Sequence, residues 1–394
     1  MYRERELHSR QSFSYVTVSP SIIEIPTKSE EKYGFGYQTI YQQFEVLRDR
    51  PLELSKFLTE AALDNVENVV FGLLAGILTD NPFQTTTNKK KCNQLLFLLL
   101  NLGAEGVPFI QAELHRLTDQ VQKLRKWTIY QFLWIIDNLV KNSFPRIESI
   151  LWNLLRNIRQ GDLTEINRLI MEHTMEIIKK HEDWLYNHPD LVRAVVFTYL
   201  RILEDYGSYQ LKDLKSKIGQ FLDKLIRDRF ADVLGLGRDL LRAMMCVSKV
   251  TEIEKLWQDI LHDPQSLMEG FHGVNDFLDV KTPDRFLLLR IPPELETKLV
   301  FLTQNVSFKS HSRYLNWLNK DFLLGRESQS LRQDIIRYLV CCFGFIDSQL
   351  VSRQFLVDWL LAGTGPEIKT RFSHFAFAFS ENYILVLDPI LVNY

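Results

Sequence analysis

Apolar residues recur along most of this chain at steps of three and four, the spacing that places side chains on one face of a helix. In "LKDLKSKIGQFLDKLIRDRF" the stripe is Leu211, Leu214, Ile218, Phe221 and Leu225, and one face of that helix must be buried. "IPPELETKLVFLTQNVSF", 291–308, reads the same way: Pro293 suits a first helical position, Glu294 and Glu296 suit a positive helix start, and Leu295, Leu299 and Leu302 form the stripe. About twenty such patterns follow one another through short loops, with no recurring pair of alternating strand patterns. Start and stop signals punctuate them at His188 with Pro189, Asp263 with Pro264, Thr282 with Pro283 and Ser330 with Gln333, the last pair spaced like a capping box.

Consecutive patterns combine into antiparallel pairs of roughly 40 residues without a strict sequence repeat, which predicts an all-α fold: a HEAT-like α-solenoid in which each pair buries its apolar face against its neighbours. "LTEINRLIMEHTMEIIKKHEDWL" with "PDLVRAVVFTYLRILEDYG" is one such pair, and the next begins near Tyr209. The chain divides into an irregular N-terminal segment, 1–32, and a helical scaffold, 33–394, long enough for two lobes. The C-terminal "RFSHFAFAFSENYILVLDPILVNY" is unusually apolar, as though a further helix should cover it.

Composition agrees with packed helices. Apolar content is 46% and aromatic content 12%, while the 394 residues include only 17 Gly and 13 Pro. With 47 basic and 49 acidic residues the net charge is −2, too small for a global field that would draw the protein onto nucleic acid or an anionic membrane. The apolar runs 68–79 and 92–104 fall short of the roughly 18 to 20 residues that span a bilayer, so no transmembrane helix is expected. The residues from Met1 to Pro20 are too polar for a secretory signal. Cys92, Cys246, Cys341 and Cys342 lie among apolar helical residues and read as small buried hydrophobes.

Motifs of catalysis are missing. HExxH, paired CxxC, GxSxG and P-loop patterns do not occur. "YGFGYQ" (33–38) and "GLGRDL" (235–240) resemble pieces of a dinucleotide loop but do not follow a strand in a βαβ unit, and helix boundaries explain both. His173, His181 and His188 are interrupted by Pro189 and the break at "HEDWLYNH", which argues against a metal site. Glu252 and Glu254, two residues apart, point to different faces of a helix rather than forming a carboxylate pair. We therefore expect no catalytic residue, no metal and no cofactor.

The remaining candidate is a binding surface. Lys217, Lys224 and Arg227 are interleaved with Asp213, Asp223 and Asp228 and read as a solvated face, and the "NKKKC" run (88–92) is a helix start. "LRKWTIYQFLWIIDNLVKNSFPR" mixes basic and aromatic groups as strand-binding surfaces do: Trp134, Ile135 and Leu139 have the spacing of core residues, and the basic ends are expected to be exposed. Lys126, Lys141 and Arg146 are thus the candidate partner contacts. Direct single-stranded nucleic-acid binding by the same segment is the alternative.

The ordered series "YGFGYQTIYQQF", "VFTYLRILEDYG", "GRDLLRAM", "LWQDILHDPQSL", "IPPELETKLVFLTQNVSF", "RYLNWLNKDFL" and "ESQSLRQDIIRYLVCC" resembles the N-terminal half of the Integrator complex subunit 3 family, whose members also serve as the scaffold of the SOSS complex. The resemblance covers roughly residues 33 to 363. It implies a nuclear, non-enzymatic scaffold that holds an OB-fold single-stranded-DNA-binding protein and a small subunit-C-like third protein, so that nucleic acid is met through the partner, with no membrane among the partners. It also implies membership of the Integrator assembly, which acts on small nuclear RNA 3′ ends, and a role in the DNA damage response. Family members continue into a C-terminal half associated with dimerisation and with other Integrator subunits, beyond the residues present here.

Overall fold

The computed structural model describes residues 50–79, 86–159, 162–205, 212–280 and 282–289, together with positions 42–43, 46–47 and 296. These residues are helical or lie in turns, with no strand among them, so the fold is all-α. "YGFGYQ", Cys341, Cys342, Ser330, the C-terminal apolar segment and all of 291–308 but Glu296 lie outside the described residues. Two compact units are formed, one from 1–110 with 123–132 and one from 111–122 with 133–394.

In the first unit α1 (Pro51–Thr79) breaks at Asn65, where φ −160° and ψ 92° leave the helical region. The Asn65 side-chain carbonyl accepts the Asn68 N–H at 3.0 Å and so caps the segment that follows. That segment buries Val69, Val70, Leu73, Leu74, Ile77 and Leu78. It packs with α2 (Thr86–Leu100), at whose start Lys89 and Lys90 are exposed. Helix α3 (Gly103–Asp119) follows; no single described helix is long and apolar enough to cross a membrane.

The second unit is the repeat array. After α4 (Lys126–Lys141) come α5 (Ile147–Asn157), α6 (Glu165–Lys180), the single turn α7 (Glu182–Tyr186), α8 (Pro189–Asp205) and α9 (Lys212–Asp228). They are followed by α10 (Phe230–Leu234), α11 (Arg238–Val247), α12 (Thr251–His262), α13 (Val274–Asp279) and α14 (Asp284–Leu289). Helices α5, α8 and α11 pack side by side, as do α9 and α12, while α8 also packs on α9 and α10. Helix α8 is apolar almost all round and is buried on nearly every face, from Leu191 to Leu203, as a central helix must be. Tyr199 from α8 donates its hydroxyl to the Met171 carbonyl of α6 at 2.8 Å, joining the pair foreseen in the sequence. The foreseen stripe of α9 is buried at Leu214, Ile218, Phe221 and Leu225, and its first member, Leu211, lies outside the described residues.

The repeat shows itself in a series of polar contacts at similar sequence separations. Asp137 accepts from Lys180 and His181 at 2.6 and 2.7 Å, 43 and 44 residues on. Lys224 pairs with Glu182, and Tyr186 donates to Asp228, each 42 residues apart. Arg193 donates to the Asp232 carbonyl across 39 residues, and Thr282 to that of Leu236 across 46. The charges of α9 are therefore neutralised differently from the reading of the sequence: Arg227 does pair with Asp223 one turn away, but Lys224 and Asp228 bond to the preceding repeat and Arg227 also reaches Asp259 of the following one.

One feature departs from a plain solenoid. Beyond α13 the chain turns back, and α14 packs on α5 and α8 rather than extending the array. The turn is set at "GLGRDL". Gly237 has φ +57° and ψ −133°, and a Cβ there would lie 2.0 Å from the Val280 carbonyl oxygen. The Arg238 N–H donates to that oxygen at 3.1 Å, and the Asp239 N–H to the Thr282 hydroxyl at 3.2 Å, which caps α11 from a distant part of the chain. Gly237 serves a helix boundary filled by the Val280 backbone, while Gly235 lies against the Arg193 side chain.

Candidate partner-binding surface

Helix α4 buries Ile129, Phe132, Leu133, Ile135, Ile136, Leu139 and Val140. Ile135 and Leu139 are in the core as expected, whereas Trp134 is only half-buried, because it sits at the edge of that wide apolar face. Lys126 begins the helix and Lys141 ends it, both exposed, and 15 residues of rise separate them by about 22 Å along the axis. The three basic candidates thus do not form one cluster: Lys141 and Arg146 share a loop, and Lys126 stands apart.

That loop has a definite construction. The Phe144 N–H donates to the Leu139 carbonyl at 2.9 Å and the Ser143 N–H to that of Val140 at 3.0 Å, the two bonds of a Schellman motif, with Ser143 at φ 49° where glycine is usual. Phe144 is buried and anchors the turn. Arg146 also has positive φ, 58°, and precedes α5 without a side-chain cap. Gln111 donates to the Pro145 carbonyl at 2.7 Å, and Ser149 to the Arg146 carbonyl at 2.8 Å, so the backbone is held from both sides. The result is a rigid exposed corner carrying Lys141 and Arg146, neither of which forms an ion pair with a described residue. Lys141 in the last turn of α4 also sits favourably at the negative helix pole. Pro145, a few residues past the helix end, is the signal in the sequence that marks this stop.

Several other charges are paired within the fold. Arg229 pairs with Asp232 and lies over the Tyr186 ring at 5.2 Å. Burial, with the hydrogen bond to Asp228, pushes the Tyr186 hydroxyl well above the ordinary tyrosine range. The least expected group is Arg201 of α8, which is fully buried. It lies 3.7 Å from Glu204, and Arg242 of α11 approaches the other Glu204 oxygen at 3.9 Å. The negative end of α8 adds to the attraction. Arg201 occurs inside "FTYLRILED", and only the absence of an exposed face on that helix could have revealed its burial.

The histidines go separate ways. His173 and His188 contact the carbonyls of Leu169 and Trp184, and His181 binds Asp137. Among the described residues no group of His, Cys, Asp and Glu is arranged to hold a metal ion. Glu252 packs against Gly219 while Glu254 is exposed, on different faces as read. Cys92 is buried, but Cys246 is exposed, which corrects the expectation for that residue. Helix α11 buries every residue from Asp239 to Met244 and then Val247, and Cys246 is exposed beside Met245 in its last turn. Desolvation and the nearby Glu204 carboxylate push the Cys246 thiol upward.

A model of the Integrator complex subunit 3 N-terminal family matches residues 64–379, four-fifths of the length. The chain belongs to the Integrator complex subunit 3 family. It is 31% identical over 372 residues to the Integrator complex subunit 3 homolog of Drosophila mojavensis, covering 91% of this chain and 34% of that protein. Against the Anopheles gambiae homolog it is 31% identical over 353 residues, 86% of this chain and 31% of the relative. Against Integrator complex subunit 3 of Mus musculus it is 32% identical over 299 residues, 75% and 28% of the two. The chain thus spans about a third of the length of these family members, and the matched region contains α2 to α14 and the Lys141–Arg146 corner.

Proposed function

We propose that this chain is a non-enzymatic scaffold module: a nuclear subunit of the Integrator complex, acting on small nuclear RNA 3′ ends, and the platform of a SOSS-like complex that senses single-stranded DNA in the damage response. Its partners in this reading are other Integrator subunits, an OB-fold single-stranded-DNA-binding protein and a small third subunit. Family membership carries the proposal. The electrostatics support protein contact over direct nucleic-acid binding, because Lys180, Lys224, Arg227 and Arg229 are engaged by carboxylates of the fold and are not gathered into a groove. The rigid corner with Lys141 and Arg146, and separately Lys126, are the contacts we assign to a partner.

The test is binding of the purified chain to a labelled oligo(dT) with and without the OB-fold protein. The chain alone should bind weakly at physiological salt, and the complex should show the salt slope of the OB-fold protein, about −0.7 per phosphate contacted. Lys141→Glu should slow association with the partner. Arg146→Gly removes a charge while suiting the positive φ, so it should weaken association without loss of stability. Tight, steeply salt-dependent binding by the chain alone, abolished by Lys141→Glu, would favour direct nucleic-acid recognition instead.

A further inference from the structure

Asp137 is where two successive repeats meet, and the cations around it outnumber it. One of its oxygens accepts from Lys180 at 2.6 Å, and the other lies 2.7 Å from His181 Nε2. Lys141 follows Asp137 by four residues on α4, so the two side chains leave the helix on one face, about 5 to 6 Å apart at Cβ. The Asp137 side chain is largely covered, 19% exposed, whereas that of Lys180 is 58% exposed. Lys141 is exposed and pairs with no described carboxylate, and Arg146 adds a third cation from the rigid corner beyond it. Glu148, half-buried in the first turn of α5, pairs with none of them. The next joint of the array supplies the contrast. Lys224 is likewise 58% exposed and bonds Glu182 of the preceding repeat, but four residues after Glu182 stands Tyr186, which donates to Asp228. That joint has no surplus of positive charge.

We propose that Lys141 and Lys180, on either side of Asp137, form a docking site for an acidic segment of a partner polypeptide, one with Asp or Glu side chains in succession, and that Arg146 engages its continuation. The inference rests on reading the chain as a scaffold and names the chemistry of what the corner holds. An ammonium group has three donors, so Lys180 keeps its bond to Asp137 and still offers N–H groups to an incoming carboxylate. Asp137 thereby fixes the position of Lys180, and the closed turn at Ser143 fixes the end of α4 that carries Lys141. The pairs so formed are exposed and screened by salt, and they act chiefly on the rate of association. A nucleic-acid strand fits the same cations less well, because three charges neutralise few phosphates and the chain as a whole, at −2, gives no field that attracts a polyanion.

The probe is a fluorescein-labelled oligoglutamate peptide, titrated into the full chain at low and at physiological salt and followed by anisotropy. It should bind at low salt and weaken as salt rises. Lys141→Gln and Lys180→Gln should each lower its affinity about two- to fivefold, the range of exposed charge pairs. Glutamine at 180 keeps a donor for Asp137, so the joint between the repeats is retained. Lys224→Gln, matched in exposure, should leave the affinity unchanged. The proposal is overturned if the peptide does not bind at low salt, if either Lys141→Gln or Lys180→Gln leaves binding unchanged, or if Lys224→Gln costs as much as they do. It is also overturned if oligo(dT) of equal charge binds more tightly than the peptide and loses that advantage in Lys141→Gln, which would assign the corner to nucleic acid. The scaffold reading is separated by repeating the comparison with the OB-fold protein. Failure of that protein to bind, while the peptide still distinguishes Lys180 from Lys224, supports the acidic-segment site and removes the scaffold reading. Undiminished binding of that protein to the Lys141→Gln, Lys180→Gln double variant, with a peptide that does not distinguish the lysines, overturns the site and leaves the scaffold.

Discussion

Replacing Gly237 by alanine tests the junction that turns the chain back over its own repeats. Two costs are separable. At φ +57° and ψ −133° an alanine backbone is strained by about 1 to 3 kcal/mol. Its Cβ would also lie 2.0 Å from the Val280 oxygen and 2.7 Å from the Val280 carbonyl carbon, so that backbone must retreat. Retreat breaks the bond from the Arg238 N–H and loosens the Thr282 hydroxyl, which links the Leu236 carbonyl to the Asp239 N–H. Leaving buried groups of this kind unsatisfied adds about 1 to 3 kcal/mol, for a total of about 2 to 6. Gly270 supplies the control: its φ is +78°, yet a Cβ there would meet nothing within 4 Å, so Gly270→Ala should show the backbone cost alone. Urea unfolding followed by far-UV circular dichroism measures both. Equal losses at the two positions would refute the steric argument and, with it, the role of Val280 and Thr282 in capping α11.

Four further expectations follow from the same structure. Phe221→Ala should cost about 3 to 5 kcal/mol by urea unfolding, since Phe221 is buried and meets the Tyr199 ring edge-on at 5.8 Å. Ser143→Gly should stabilise by up to about 1 kcal/mol, because glycine suits the φ of 49° in the Schellman turn; a loss would mean that the Ser143 side chain has a role of its own. Tyr186 holds its proton more firmly when folded, so its contribution is intact below the unfolded value of 10.0 and declines as pH rises above it; stability of Tyr186→Phe should fall less steeply than the parent over that range, the common effect of buried Tyr199 cancelling in the comparison. Peptide mapping after brief treatment of the folded chain with a maleimide at pH 7 should find Cys246 modified slowly and Cys92 protected, and rapid labelling of Cys246 would contradict the raised thiol.

The all-α fold, the stripe of α9 and the starts of α8 and α14 at Pro189 and after Pro283 could be read from the sequence, because each depends on residues within a few turns of one another. Candidate contacts were legible only as residue types. Lys141 and Lys224 look alike in the sequence, but one is presented on a fixed corner and the other is bound by Glu182, 42 residues earlier. Cys246 was misread for a related reason: its neighbours are apolar, but it lies in the last turn of α11, where it and Met245 are exposed while the preceding turns are buried.

Local periodicity and turn chemistry are properties of adjacent residues, so the sequence by itself determined the all-α class, the buried stripe of α9 and the helix starts at Pro189 and after Pro283. The tertiary structure alone decided which carboxylate each cation meets, that Arg201 is buried beside Glu204 and Arg242, and that α14 returns to α5 and α8. Apart from near neighbours such as Arg201 and Glu204, those outcomes join groups from 32 to 140 residues apart, and a charge or an aromatic ring carries no mark of its distant partner. Only the packing of one helix on the next brings them within reach, because Coulomb attraction and hydrogen bonding act over a few ångströms once the apolar faces have fixed the geometry.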